Sequence, residues 1–332
     1  MRILRSHEVG GPETLKLDDI EPPEPGPGEV RVAVKASAIN YPDVLIIEDK
    51  YQMKPPRPFA PGGEIAGVVD ALGDGVEGIS VGDRVIAVPG FGGLAEQVVI
   101  PAKSAIPLPE SHSFTDGAAM LLTYATAIHA LKDRGRLAEG DEMLVLGAAG
   151  GVGLATIELG KAMGARVVAA VSNEDKADAA KKAGADEAIV YPRGDLDRDA
   201  QKALSQQFKD AARGEGFDVV MDPVGGAYAE PALRSLGWQG RYLVVGFPAG
   251  IPAPPLNLTL LKEAEVSGVF WGAFAQRDSK ANAAHVAELF RLWDAGKIAP
   301  VVTETFPLEK GGEAIATLGS REAIGKIVVT MD

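Results

Sequence analysis

The chain has 332 residues, more than one hydrophobic core usually serves, so two domains are expected. It contains no cysteine, which removes disulfides and thiolate metal sites, and its formal net charge of -13 argues against general nucleic-acid or anionic-membrane binding. No apolar run approaches the roughly 20 residues of a membrane span, and the start MRILRSHEVGGPETL turns polar at once, so a soluble cytoplasmic protein is expected.

The first third reads as strands. In EVRVAVKASAIN, Val30, Val32 and Val34 alternate with Arg31, Ala33 and Lys35, the period of a half-buried strand. EIAGVVDALG, DRVIAVPG and LAEQVVIPA follow as short strands between Gly, Pro and Asp turn signals, and PPEPGPGE is a stiff connector. From about Thr115 the period changes, and TDGAAMLLTYATAIHALKDRG predicts one amphipathic helix ending at Gly135. Apolar strands and helices then alternate through EMLVLG, GLATIELGKAMGA, RVVAAVS, EDKADAAKKAGA, EAIVY, FDVVMDPVGG, GRYLVVGF and AEVSGVFWG, which predicts βαβ units on a parallel sheet. One more helix, near KANAAHVAELFRLWDAGK, precedes the strand-like VVTETFPL and GKIVVTM, which are expected to rejoin the β-rich first domain. His7, His112, His129 and His285 lie far apart and form no HExxH pattern.

The chemistry concentrates between the strand Met143 to Leu146 and a helix expected from Ala155. There the chain reads Ala148-x-Gly150-x-x-Gly153, with Gly151 and Val152 filling the gap. This is the dinucleotide fingerprint with its first glycine replaced by alanine. Small residues let the chain turn tightly, let the backbone approach a pyrophosphate, and let the helix pack on its strand. The helix N-terminus then offers N–H groups and a positive dipole end to phosphates. The next strand, Arg166 to Ala170, ends in Val171, Ser172 and Asn173 rather than in the acid that holds a ribose diol, with Glu174 and Asp175 only later. A neutral strand end followed by Lys176 suits a 2′-phosphate and hence NADPH; the alternative for Lys176 is a solvated helix lysine, and for Glu174 or Asp175 a bend back to the ribose.

These segments are familiar as an ordered set: PGGEIAGVV (61–69), VGDRV (81–85), YATAIHAL (124–131), GAAGGVG (147–153), KAGAD (182–186), DPVGG (222–226), VVGF (244–247) and GKIVV (325–329). Over nearly its whole length the chain resembles the medium-chain dehydrogenase/reductase superfamily, in particular its zinc-free quinone oxidoreductase branch. The resemblance implies an α/β protein with a GroES-like β-rich catalytic domain from residues 1–122 and 271–332 around a Rossmann domain at 123–270. It also implies a homodimer in which the last Rossmann strand, about Glu265 to Phe270, pairs with its twin. The zinc ligands of related alcohol dehydrogenases match Asn40, Gly63 and Leu122 here, which cannot replace them, so no metal is expected. Glu64 and Asp43 survive at positions the zinc enzymes also use, and Glu64 reads as structural first.

By the same resemblance Asn40, Tyr41, Tyr124 and Thr126 stand close to the nicotinamide and the acceptor. Three of them have a plainer alternative: Asn40 as a helix cap, Tyr124 as a core aromatic, Thr126 bonded to its own helix. Phe247, Phe270 and Trp271 either wall the pocket or serve packing. Ser172, Lys176 and Tyr191 are implied around the 2′-phosphate, and Arg321 either closes over the adenosine end or sits in a surface turn. Without a Lewis acid, reduction of an activated acceptor is easier than oxidation of a plain alcohol. The expectation is an NADPH-dependent reductase of a quinone or another α,β-unsaturated carbonyl. Its rivals are enoyl-thioester or 2-alkenal reduction and a non-catalytic, structural or regulatory NADPH-binding protein.

Overall fold

The structure, a computed structural model, describes residues 1–194 and 196–331. Contacts divide the chain into Met1–Leu122 with Pro300–Asp332, and Thr123–Ala299. In the first unit β1 (Arg2–Arg5) pairs with β2 (Lys16–Asp19). A seven-stranded sheet is built from β3 (Glu29–Ile39), β4 (Glu64–Leu72), β5 (Arg84–Ala87), β6 (Gln97–Pro101) and β7 (Ile106–Pro107), and from β14 (Val302–Pro307) and β15 (Lys326–Thr330) at the chain's end. Its order is β14-β15-β3-β4-β5-β7, with β6 also on β3.

Strand β3 organises this unit. Val30, Val32 and Val34 turn inward and are essentially fully buried, each contributing about 1.5–3 kcal/mol by leaving water. Past Lys35 the alternation stops: Ala36, Ser37, Ala38 and Ile39 are all buried, so both faces of the strand are covered there. Ile39 leads straight into Asn40 and the helix Tyr41–Ile46.

The second unit holds six parallel strands: β8 (Glu142–Leu146), β9 (Arg166–Val171), β10 (Glu187–Val190), β11 (Phe217–Asp222), β12 (Leu236–Val244) and β13 (Glu265–Gly268). The order β10-β9-β8-β11-β12-β13 is that of a doubly wound Rossmann sheet, with the strand reversal beside β8. Met143 to Leu146 and Val167 to Ala170 have no exposed surface, as strands covered on both faces require.

Two expectations need correction. The single helix over 115–135 is three pieces, Phe114–Ala118, Leu121–His129 and a π-turn over Ala130–Arg134. The break occurs where the Leu122 N–H donates to Glu64 Oε1 at 2.8 Å, a side chain serving a helix-end donor that has no intrahelical partner. The boundary at residue 271 also fails: the helices Trp271–Arg277 and Ser279–Asp294 belong to the second unit. Phe274 stacks on His129 at 4.0 Å, and Lys132 Nζ donates to Glu288 at 2.6 Å, which ties the first of these helices to the end of Leu121–His129 and the second to the π-turn.

Candidate active site

The small-residue turn follows the C-terminal end of β8. The residue with a left-handed backbone is Gly147, at a φ of 54°, one place before the fingerprint. That explains why alanine is accepted at 148: the tight turn falls on its neighbour, and Ala148 is fully buried with its N–H donating to Ala170 at 3.2 Å. Gly150 caps the helix Gly151–Ala162, which therefore begins four residues earlier than Ala155; Gly151 and Val152 form its half-buried first turn. At Gly153 a Cβ would stand 2.4 Å from the Gly147 carbonyl oxygen, so helix and strand meet backbone to backbone. At Gly150 a Cβ would meet that oxygen at 3.4 Å, an ordinary contact.

Asp222, quoted above only as part of a motif, braces the neighbouring loop. It is buried at the end of β11, accepts the N–H groups of Val224 and Gly225 at 2.8 Å each, and takes the Tyr242 hydroxyl. Burial pushes its carboxyl above the usual range. The loop it fixes runs against the turn, where Val224 would be 2.7 Å from a Cβ on Gly147.

At the end of β9, Val171 is buried and Ser172 half-buried. Asn173 caps the helix Glu174–Lys182 by accepting the Lys176 N–H at 2.9 Å, while Glu174 and Asp175 are exposed in its first turn. Lys176 is only 8% exposed, so it is not the solvated helix lysine of the plainer reading. Tyr191 is buried with its ring 4.8 Å from that of Tyr228. Burial raises its pKa. Phe247 and Phe270 are substantially exposed, and the Trp271 indole donates to Asn282 at 2.8 Å. Arg321 belongs to the first unit, in a left-handed turn after the helix Gly311–Gly319.

Tyr124 follows the core reading: it is 2% exposed, and its hydroxyl donates to Glu158 at 2.6 Å. Burial raises the pKa of both groups, and Glu158 also accepts the Ala299 N–H at 3.0 Å. Thr126 lies half-buried on the same helix.

In the first unit, Asn40, Asp43, Glu64 and Lys326 form one buried polar cluster. Asn40 Nδ2 donates to Glu64 Oε2 at 3.0 Å and to the Ala38 carbonyl at 3.2 Å, and its Oδ1 accepts from Lys326 Nζ at 2.5 Å. Lys326 also pairs with Glu64 at 3.1 Å. Asp43 accepts the N–H groups of Asn40 and Gly62, both at 2.8 Å, and burial pushes its carboxyl up to about 6. Asn40 thus occupies the helix-cap position while all its amide groups are engaged by neighbours. Tyr41, the first helical residue, is half-buried. Lys326 escaped the sequence reading; its only signal is a lysine heading the apolar run IVV.

Comparison with known proteins decides the family. The model described as "Alcohol dehydrogenase GroES-like domain" matches residues 26–110, and the one described as "Zinc-binding dehydrogenase" matches 151–288. Quinone oxidoreductase-like protein 2 of Mus musculus is 36% identical over 321 residues, which cover 96% of this chain and 89% of the relative. The chain belongs to the quinone oxidoreductases of the medium-chain dehydrogenase/reductase superfamily. Quinone oxidoreductase of Rattus norvegicus is 31% identical across 100% of this chain and 98% of its own. The crystal structure of Escherichia coli quinone oxidoreductase complexed with NADPH superposes with a TM-score of 0.90 at 30% identity, covering both chains fully. Asn40 Oδ1 is bonded to an ammonium, Gly63 and Leu122 offer no side-chain ligand, and among the described residues no group of three or more His, Cys, Asp or Glu is placed to hold a metal. No helix among them is long and apolar enough to cross a membrane.

Proposed function

We propose that this quinone oxidoreductase is an NADPH-dependent, zinc-independent reductase whose acceptor is a quinone or another carbonyl conjugated to C=C. The observation that carries the reading is the turn at 147–153. A left-handed Gly147, a helix N-terminus at Gly150 where a Cβ would meet nothing closer than 3.4 Å, and the backbone contact at Gly153 make a phosphate cradle that side chains would fill. The Escherichia coli relative complexed with NADPH supports the choice of dinucleotide. Ala148 and Gly150 to Gly153 would hold the pyrophosphate. Ser172 and the buried Lys176 would meet the 2′-phosphate, where Val171 denies a ribose diol its usual carboxylate. Bound NADPH supplies a hydride.

What the protein's own residues add is a place for charge. A conjugated acceptor that gains hydride gathers negative charge on oxygen, and a donor fixed there lowers the barrier. With the Asn40 amide and the Tyr124 hydroxyl engaged elsewhere, Tyr41 and Thr126 are the residues of that set whose hydroxyls remain for the acceptor. We also assign the edge strand β13 to pairing with a second copy, since it ends the sheet with Val266 46% exposed and Phe270 beside it 58% exposed.

The test is loss of NADPH absorbance with purified protein, a small para-quinone and a 2-alkenal, before and after exhaustive chelation. Turnover of at least one acceptor, unchanged by chelator, is expected. No turnover with either acceptor would reject the reductase, and loss of turnover reversed by zinc would reject zinc independence.

A further inference from the structure

The second unit buries two of the chain's four histidines in a cluster that the reading above does not use. His129 ends the helix Leu121–His129, and its Nδ1 lies 2.7 Å from Asp133 Oδ2, one turn further on. His285, on the helix Ser279–Asp294, faces the other oxygen of the same carboxylate, with Nε2 3.5 Å from Asp133 Oδ1. The Phe274 ring stacks on both imidazoles, with its centroid 4.0 Å from that of His129 and 5.6 Å from that of His285. The three rings come from three helices, and the carboxylate comes from the π-turn. Neighbouring residues of the turn hold the same junction: Lys132 reaches Glu288, and Arg134 Nε donates to the Gly268 carbonyl at the end of β13 at 3.2 Å. The Nδ1 of His285 is buried with no hydrogen-bond partner among the described residues. A neutral ring meets this by leaving that nitrogen bare and carrying its one proton on Nε2, toward Asp133. A charged ring carries a proton on both nitrogens and would bury an N–H without an acceptor.

We propose that His129, Asp133, Phe274 and His285 form an acid-sensitive clasp, which holds the helices Trp271–Arg277 and Ser279–Asp294 to the π-turn at neutral pH and releases them on acidification. Two imidazoles share one carboxylate, and one carboxylate offsets only one imidazolium. The charges that act on His285 come from each element packed against it. Asp133 on the turn and Glu288 on its own helix favour its charged form, while Lys132 on the turn and His129 on the preceding helix oppose it. Burial opposes it most, and holds the ring below the ordinary imidazole value of 6.5. When the helices leave the turn the ring reaches water and titrates near that ordinary value. The open form therefore binds a proton that the closed form lacks. The margin of the closed form is full above 6.5 and shrinks as pH falls from there toward the depressed value. One proton multiplies the open population by at most tenfold for each pH unit inside that window.

The experiment is amide hydrogen exchange of the full chain at pH 7.5 and 5.5, corrected for the pH dependence of intrinsic exchange and read by mass spectrometry. Peptides from 271–294 are compared with peptides from β8 and β9, in wild type and in His285→Leu, which fills the site with a side chain that cannot titrate. In wild type the open population of 271–294 should rise by up to about tenfold between the two pH values, while β8 and β9 stay level. In His285→Leu the rise should vanish. A rise as large in His285→Leu as in wild type, or a wild-type segment that changes no more than β8 and β9, overturns the clasp. Should His285→Leu fail to fold, the wild-type ring itself decides. Proton–carbon NMR of the labelled histidines follows its titration, with His285 assigned by elimination from His7→Gln, His112→Gln and His129→Gln. A midpoint below 6.5 is expected, and a midpoint at or above it means that the closed form welcomes the proton and overturns the proposal.

Discussion

Gly150 and Gly153 lie three residues apart in one turn, and the structure assigns them different reasons for being glycine. A Cβ at 153 would lie 2.4 Å from the Gly147 carbonyl oxygen and 2.7 Å from two backbone atoms of Ala148. None of these is the end of a flexible side chain, so in Gly153→Val the helix must retreat from the strand by about 1 Å, and overpacking of this kind costs roughly 1–3 kcal/mol. For a unit of this size that lowers Tm by roughly 2–12 °C. The same retreat moves the N–H groups at the helix end away from the pyrophosphate, and each charge-assisted bond lost is worth about 1.5–3 kcal/mol. NADPH affinity should fall at least about 10- to 100-fold. At 150 the protein itself leaves room: φ is -76° and ψ 168°, which alanine adopts freely, and the nearest atom would be 3.4 Å from its Cβ. Gly150→Ala should therefore keep the wild-type Tm and still weaken NADPH, because the room it fills belongs to the ligand. Calorimetry and fluorescence titration of both variants separate the two reasons. Unaltered NADPH affinity in Gly150→Ala would falsify the claim that the backbone approaches a pyrophosphate there.

Three further outcomes are expected. Lys176→Ala should weaken NADPH about 10- to 100-fold, the value of one charge-assisted bond, while leaving NADH nearly unchanged, and Val171→Asp should move preference toward NADH; a wild type that prefers NADH in kcat/KM would sink the assignment. The Asp43 carboxyl is raised from 3.8 to about 6, largely by burial, so the native state holds a proton that the unfolded chain has released. Its contribution to stability is present below the lower value and is lost as pH rises through the upper one; Asp43→Asn should flatten Tm against pH across that window, and an unchanged slope would show that the carboxyl titrates elsewhere. Light scattering at micromolar concentration should give a dimer or a multiple of it, and a Val266→Lys variant should shift that mass downward; a wild-type monomer would leave the edge strand uncovered and the proposal wrong.

Much of the fold was readable because its signals are local. The period of two at Val30, Val32 and Val34, and the solid apolar runs of β8 and β9, each follow from which faces of a strand are covered. What escaped was decided at a distance. The continuous pattern over 115–135 gave no hint of a break, because the break depends on Glu64, 58 residues away, reaching the Leu122 N–H. The helices after Trp271 went to the wrong unit because their anchors, His129 and Lys132, lie more than a hundred residues upstream.

The candidate site divides along the same line. Small residues in a turn leave a spacing that can be read, even though the residue with positive φ proved to be Gly147 rather than the fingerprint position. Polar side chains leave no such mark, since what they can do depends on which of their atoms are already bonded. Asn40 is the right residue type for an acceptor donor, yet its amide is held by Glu64, Ala38 and a lysine 286 residues away. Tyr124 is likewise suited to the task, and Glu158 holds its hydroxyl. Conversely, Lys326 sits in a strand that sequence alone reads as structural, and only its burial against Asn40 and Glu64 distinguishes it. An amide whose oxygen and nitrogen are both already bonded inside the first unit is thus a brace for Glu64 and Lys326, whatever its residue type suggests.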